Sequence, residues 1–431
     1  MAAKVIVFED AYWQNFLPLT YWRATFQLQC GITTLLDKVA FQAPDRRAPS
    51  YLWDGVAVWC RDELTEKVEA ETGLDTNAAT DQPTLLINGR GIWHRLPETD
   101  NQASSWVGTT SDDQVACIFA DAELAGTLTP EIMLDSELLT ATVASLPHRN
   151  VSADVDLMSW PWEIIHANER AIVSDWRAIL GYQGRIESHL MSGSHVLAPE
   201  SVHIGAETQI KPCVVIDAED GPVWIGERVT ILPHSYIKGP AFIGDGSLIQ
   251  PGSAVHAGTS IGVRCKVGGE VESSILQGYS NKQHDGFLGH SYIGSWVNIA
   301  ADCINSDLKN TYGTVRVPIN GSDVETGEMF MGMIVGDFSK LGINVSFPTG
   351  AVIGFCCSVV ASRTPKYVPS FTWMNHEGAE PFHVERGLTL AQKVMRRRNR
   401  EMTLPEQRLF AEVHREMQLI ESLEEPGKVV R

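Results

Sequence analysis

The sequence predicts three parts in series: an α/β domain over residues 1–185, a parallel β-helix over 186–370 and a helical tail over 371–431. Three observations carry that prediction. Val or Ile recurs every six residues at 225, 231, 237, 243, 249, 255, 261 and 267. Short continuous apolar runs alternate with helical stretches before residue 185, and residues 388–424 return to helical spacing. A period of six fits neither the 3.6 of a helix nor the 2.0 of a lone strand, and it is the period of hexapeptide β-helices.

Three hexads make one coil of eighteen residues. One β-branched residue per hexad points into a triangular prism, and Gly226, Gly244 and Gly262, each directly after such a residue, let the backbone turn a corner where a Cβ would clash. The phase runs back through Ile204, Ile210 and Ile216, across an insertion at 219–221, and forward through Phe287, Ile293 and Ile299. It resumes at Val335, Leu341, Phe347, Ile353 and Val359. The non-repetitive stretch from Asp302 to Phe330 is expected to leave the prism as a loop, where solenoids carry binding residues.

Before the prism, Val5–Phe8, Thr84–Gly89 and Val115–Ala120 read as buried strands, and 31–39 reads as a helix, which together suggest a mostly parallel sheet. Pro161 opens a connecting helix in which Trp162, Ile165, Ile172, Trp176 and Ile179 recur at helical spacing, and Gly181 stops it. After the prism, 388–424 reads as two helices. The first carries Arg396, Arg397, Arg398 and Arg400; the second opens on a capping box, Thr403-Leu404-Pro405-Glu406.

With 431 residues and 44% apolar content the chain can fill two or three cores. A formal net charge of −19 argues against nucleic acid or an anionic membrane as partner. The absence of an apolar run near eighteen residues, and of a basic-then-apolar leader, makes a soluble cytoplasmic protein the expectation. Eight cysteines without CxxC or zinc spacing read as reduced structural thiols, with no metal site.

The stretch Asn281-Lys282-Gln283-His284-Asp285-Gly286-Phe287-Leu288-Gly289-His290-Ser291-Tyr292-Ile293-Gly294, followed by Val297-Asn298-Ile299-Ala300-Ala301, resembles the acyltransferase domain of the bifunctional N-acetylglucosamine-phosphate uridylyltransferases. More closely, the whole chain resembles a sugar nucleotidyltransferase family that carries a left-handed hexapeptide β-helix. The resemblance covers about 200–360, and only short motifs before that. It implies a left-handed prism, a homotrimer with sites between subunits, acetyl-CoA or another acyl-CoA as co-substrate, and a small amino-sugar phosphate or nucleotide sugar as acceptor. It sets His284 on the catalytic base and Asn298 on an asparagine lining the acceptor site.

The residues themselves suit that chemistry. In hexad phase His284 lies midway between inward positions 281 and 287, so its imidazole faces outward and can take a proton. Eighteen residues on, Asp302 is expected to stack above it at ~4.8 Å and orient the ring. The backbone N–H groups of Gly289, Ala300 and Ala301, with the Asn298 amide, are candidate donors to a tetrahedral oxyanion and to the acyl-CoA. Lys282 and Lys309 flank the site as phosphate contacts, and the arginines of the first tail helix are either a solvated face or contacts for CoA phosphates or a partner's acids. His290 falls on a different face from His284. Phe287 stands where the family has a tyrosine, Asp307 where it has a loop asparagine, Gln250 for an arginine and Glu272 near a lysine. Phe287 and Asp307 are therefore substrate-contact candidates for an acceptor held differently from the family's own.

Leu17-Pro18-Leu19-Thr20-Tyr21-Trp22-Arg23 is similar to the segment that follows the glycine-rich loop of sugar-phosphate nucleotidyltransferases, with Arg23 toward a phosphate. Nucleotidyl transfer needs a triphosphate cradled by backbone N–H groups, a cation, and Mg²⁺ on a carboxylate. Here 9–15 contains no glycine, Thr25 stands at the lysine, and Asn88-Gly89-Arg90 occupies the metal-binding strand end. The expectation is a degenerate nucleotidyltransferase-like domain. Mg²⁺ would be needed only if it works, with Glu9, Asp10, Arg23 and Arg90 as its parts. Three functions follow: an acyltransferase, a nucleotidyltransferase alone or bifunctional, and a non-catalytic scaffold that binds a nucleotide sugar.

Overall fold

The computed structural model describes residues 4–40, 56–98, 104–181 and 183–421, and the chain divides into two compact units. The first gathers the chain up to Phe16, Trp22–Leu28 and Thr33–Ser159. Strand Lys4–Phe8 is its centre, flanked in parallel by Val56–Trp59 and Thr84–Asn88. Outward from Thr84–Asn88 run Val115–Ala120, antiparallel, then Trp106–Thr109 and His148–Asn150. Ile6, Phe8, Leu86 and Ile118 fill one face of this sheet against Met133, Leu139 and Val143 of two short helices. The chain visits one side of Lys4–Phe8 and then the other, so the crevice at the carboxyl ends of Lys4–Phe8 and Thr84–Asn88 is a topological switch point. The helix expected over 31–39 spans only Leu35–Ala40: Gly31 takes a positive φ of 77°, Thr33–Thr34 is extended, and Thr34 caps the start, its Oγ1 accepting from Asp37 N at 3.2 Å.

The second unit comprises Leu17–Tyr21, Gln29–Ile32 and the chain from Trp160 onward. Its body is a prism of three parallel sheets, which fits the left-handed β-helix that the resemblance implies. One inward column reads Ile204, Ile225, Ile243, Ile261, Leu276, Ile293, Val335, Ile353, Val368. Another reads Ile210, Ile231, Ile249, Val267, Lys282, Ile299, Leu341, Val359, Met374. The third holds Ile216, Ile237, Val255, Val271 and Leu288. The corner glycine is needed where coils touch: a Cβ on Gly244 would come within 2.8 Å of the Gly262 backbone.

The strict six-residue phase fails after Val267. The next coils are shorter than eighteen residues: Val267 pairs with Lys282, fifteen on, and Val271 with Leu288, seventeen on, so the inward positions fall one residue after the expected 281 and 287. Phe287, expected inward, therefore turns out, and Leu288 fills the core at 1% exposure. Lys282, expected as a flanking surface lysine, points into the prism. The excursion also begins later than 302. Ile304–Asn305 still pairs with Ser346–Phe347, and only then does the chain leave, through hairpin Arg316–Ile319/Ser322–Glu325, to return at Met331.

Helix Pro161–Leu180 groups with this unit; its Ile172 and Trp176 pack with Ile32 and Phe242, while Ile179 is 36% exposed and lies off the buried stripe. The tail helices are Val384–Arg396 and Leu404–Ile420, the first starting earlier than expected; 422–424 lie outside the described residues. Thr403 and Glu406 close the capping box, with Thr403 N donating to Glu406 Oε2 at 2.8 Å. Phe410 of the last helix meets Phe338 and Phe355 at 5.8 and 5.3 Å, so aromatic contact fixes the tail on the prism. Among the described residues no helix is long and apolar enough to cross a membrane, and all eight cysteines are free thiols, with only Cys213 exposed.

Candidate functional site

His284 lies on a turn between two prism faces. Its side chain is exposed, and its ring has no hydrogen-bond partner among the described residues. Below it, the Lys282 ammonium is 1% exposed and donates to the carbonyls of Gly268 at 2.8 Å and His284 at 2.9 Å. Burial pushes that amine down to about 8, opposed by Cys303, Asp285 and Glu270. A lysine so placed is no phosphate contact, which corrects its expected role.

The next coil is offset by seventeen residues, as Asn281 to Asn298 shows. Asp302, expected over His284, instead lies over Asp285, whose carbonyl accepts its N–H at 3.0 Å; the residue above His284 is Ala301. Of the three expected N–H donors, two are engaged. Gly289 donates to Asn305 Oδ1 at 3.0 Å, and Ala300 donates to the Leu341 carbonyl at 3.0 Å. The Ala301 N–H has no partner among the described residues. Asn298 accepts from Asn281 Nδ2 at 3.3 Å, and Asn281 in turn accepts from Arg398 Nη2 at 2.5 Å. That chain leaves the Asn298 Nδ2 hydrogens free and gives one tail arginine a structural partner.

Asp307 and His290 form a pair the sequence reading did not assemble. His290 Nδ1 donates to Asp307 Oδ2 at 2.9 Å, its ring stacks on Phe330 at 5.0 Å, and the His166 ring lies 6.0 Å away. His166 Nε2 donates to the Phe330 carbonyl at 3.1 Å, and burial holds this imidazole below its ordinary pKa. Asn305, 4% exposed, clamps Gly289 from both sides, its Nδ2 donating back to the Gly289 carbonyl at 3.0 Å. A Cβ on Gly289 would collide with the Asp307 carboxylate and the Phe287 ring, so glycine is required there. The missed signal was the run Asn305-Ser306-Asp307, a polar break in a repeat that otherwise puts aliphatics inward. Lys309 donates to the Thr314 carbonyl at 2.7 Å within the excursion. His284 and His290 lie at opposite ends of strand Phe287–Gly289, so they are separate centres.

In the first unit the switch-point crevice is filled. A 3₁₀ turn, Ala11–Phe16, stands where a glycine-rich loop is expected, with Trp13 and Phe16 buried. Glu9 accepts from Thr25 N and Oγ1, both at 2.9 Å, and from Arg61 Nε at 3.1 Å, while Arg61 lies 3.7 Å over the Trp13 ring. Asp10 accepts from Arg90 Nε at 2.8 Å and Asn88 Nδ2 at 2.7 Å, with Arg90 4.2 Å over Tyr12. Arg23 is 4% exposed, and its carbonyl accepts from Arg61 Nη2 at 3.3 Å. Both carboxylates are neutralised by guanidinium groups, so these residues do not fit a Mg²⁺ ion. Among the described residues no cluster of three or more His, Cys, Asp or Glu side chains suits a metal.

Residues 5–181 match the family model of the sugar nucleotidyl transferases. The chain is 34% identical over 176 residues to the bifunctional protein GlmU of Acidithiobacillus ferrooxidans, covering 40% of this chain and 34% of that one. It is 27% identical over 224 residues to GlmU of Synechococcus elongatus, covering 47% and 45%. The matches thus span between a third and just under half of these relatives' length.

Proposed function

We propose that the prism transfers an acyl group, acetyl first among them, from acyl-CoA to an amino-sugar phosphate or nucleotide sugar, as part of a soluble cytoplasmic homotrimer. The observation that carries this reading is an exposed, unpartnered imidazole, His284, under the one N–H among the expected donors that is left free, that of Ala301. Neutral His284 takes the proton from the acceptor nitrogen as that nitrogen attacks the thioester carbonyl. The Ala301 N–H and Asn298 Nδ2 receive the developing oxyanion. Collapse breaks the carbon–sulfur bond, and the imidazolium returns its proton to the departing thiolate. The match of residues 5–181 to the sugar nucleotidyl transferase model supports a transferase.

The family match over 5–181 favours nucleotidyl transfer as a second reading. The paired carboxylates and the aromatic turn in the crevice weigh against it, and the domain is taken as degenerate. The domain limits 1–185, 186–370 and 371–431 belong to the same proposal.

The experiment is release of free thiol from acetyl-CoA with a panel of amino-sugar acceptors. His284→Ala should lower kcat by ~10² to 10⁴-fold with KM for acyl-CoA nearly unchanged and the melting temperature intact. Equal rates for the two proteins would leave the non-catalytic scaffold in front. Mg²⁺-dependent pyrophosphate release from a nucleoside triphosphate and a hexose phosphate should be absent.

A further inference from the structure

Lys282 occupies an inward position whose neighbours along the column are Val267 and Ile299. An ammonium there gives up its hydration, and a methionine would fill the same volume without that loss, so core packing alone does not account for a lysine. Its contacts do. Nζ donates to the Gly268 carbonyl, on the preceding coil, and to the carbonyl of His284 itself. Neither carbonyl has another partner among the described residues. The turn is otherwise tight: a Cβ on Gly286 would collide with the Cys303 carbonyl of the coil above.

We infer that Lys282 is a positioning residue: its buried ammonium ties the backbone of His284 to the neighbouring coil and so fixes where the imidazole is presented. The inference rests on the acyl-transfer reading of His284. The groups facing the amine are Asp285 on its own turn, Glu270 on the preceding coil and Cys303 on the following one. Loss of the proton near 8 removes the charge that draws both carbonyls in, and the turn loosens.

The test uses the full-length protein with Lys282→Met and Lys282→Gln. Amide hydrogen exchange at Gly268, Glu270 and Asp302, whose N–H groups donate to the carbonyls of Lys282, Gly286 and Asp285, should speed up in both variants while more distant coils keep their protection. The value of kcat should fall by about 10 to 10²-fold with KM for acyl-CoA held, since small misplacement of a reacting group has that effect. The wild-type rate should also decline on the alkaline side near 8, and this limb should vanish in Lys282→Met. Should neither variant fold, the wild type alone still decides. Between pH 7 and 9.5, protection of the Gly268, Glu270 and Asp302 amides, corrected for intrinsic exchange, should fall relative to more distant coils. Unchanged exchange at those three amides, or unchanged kcat where His284→Ala is inactive, overturns this inference alone. Full activity in His284→Ala overturns the acyl-transfer reading instead.

Discussion

At the strand ends of the first unit Glu9 and Asp10 are gripped by Arg61, Thr25, Arg90 and Asn88, with Trp13 and Tyr12 under the guanidinium groups. At the prism corner the His284 ring, the Ala301 N–H and the Asn298 Nδ2 hydrogens have no partner among the described residues. Both places carry charged and polar side chains that a sequence reading marks as functional. The difference is where their hydrogen bonds go. Folding has spent the capacity of the first set internally, whereas the second set keeps donors and a base available to a ligand.

Two predictions break or sharpen that comparison most directly. If the crevice residues are structural, Arg61→Ala should destabilise the first unit by about 3–5 kcal/mol, because it strands the buried Glu9 carboxylate; urea unfolding followed by the fluorescence of nearby Trp13 reads this. A neutral effect there would mean that Glu9 is not held as a buried pair. At the corner the sign reverses: Asn298→Ala should leave the unfolding midpoint nearly unchanged and lower kcat by about 10²-fold if its amide donates to the oxyanion. A variant that loses stability but not turnover would move Asn298 to the structural class.

The smallest effect is in pH. The folded-state pKa of Lys282 is depressed to about 8 from an ordinary 10.5, so between those values the unfolded chain holds the proton that the folded chain has lost. Unfolding free energy from this group therefore rises with pH across about 8 to 10.5. Lys340, also lowered to about 8 by burial, contributes the same sign, while the buried thiols, raised above their ordinary value, act oppositely as pH climbs past 9. The comparison of wild type with Lys282→Met isolates the lysine: the wild type should gain on the variant over this range. A constant gap would show that the amine titrates alike in both states.

The prism was legible because its period is set by covalent chain length per face and by the need for one buried aliphatic on each. Eight successive matches left little freedom, and the columns through Ile225, Ile243 and Ile261 stand as the spacing demands. Position 284 was singled out by a motif resemblance, and the structure shows of it that the side chain is exposed. Lys282, Phe287 and Asp302 were misjudged together through a single cause. The coils just after Val267 are shorter, and an inward position displaced by one residue carries a side chain from core to solvent. Val271 and Leu276, five apart instead of six, already carried the warning in the sequence.

By itself the sequence determined the repeat, the α/β run before it, the helical tail and the absence of a glycine-rich loop after the first strand. These are local properties of spacing and residue type. Only tertiary structure decided which donors remained free, that Asn305 would consume the Gly289 N–H, that Asp307 would meet His290, and that Glu9 and Asp10 would be neutralised by Arg61 and Arg90. The physical reason is that hydrogen-bond capacity is spent among residues far apart in the chain, and no periodicity records which partner arrives first.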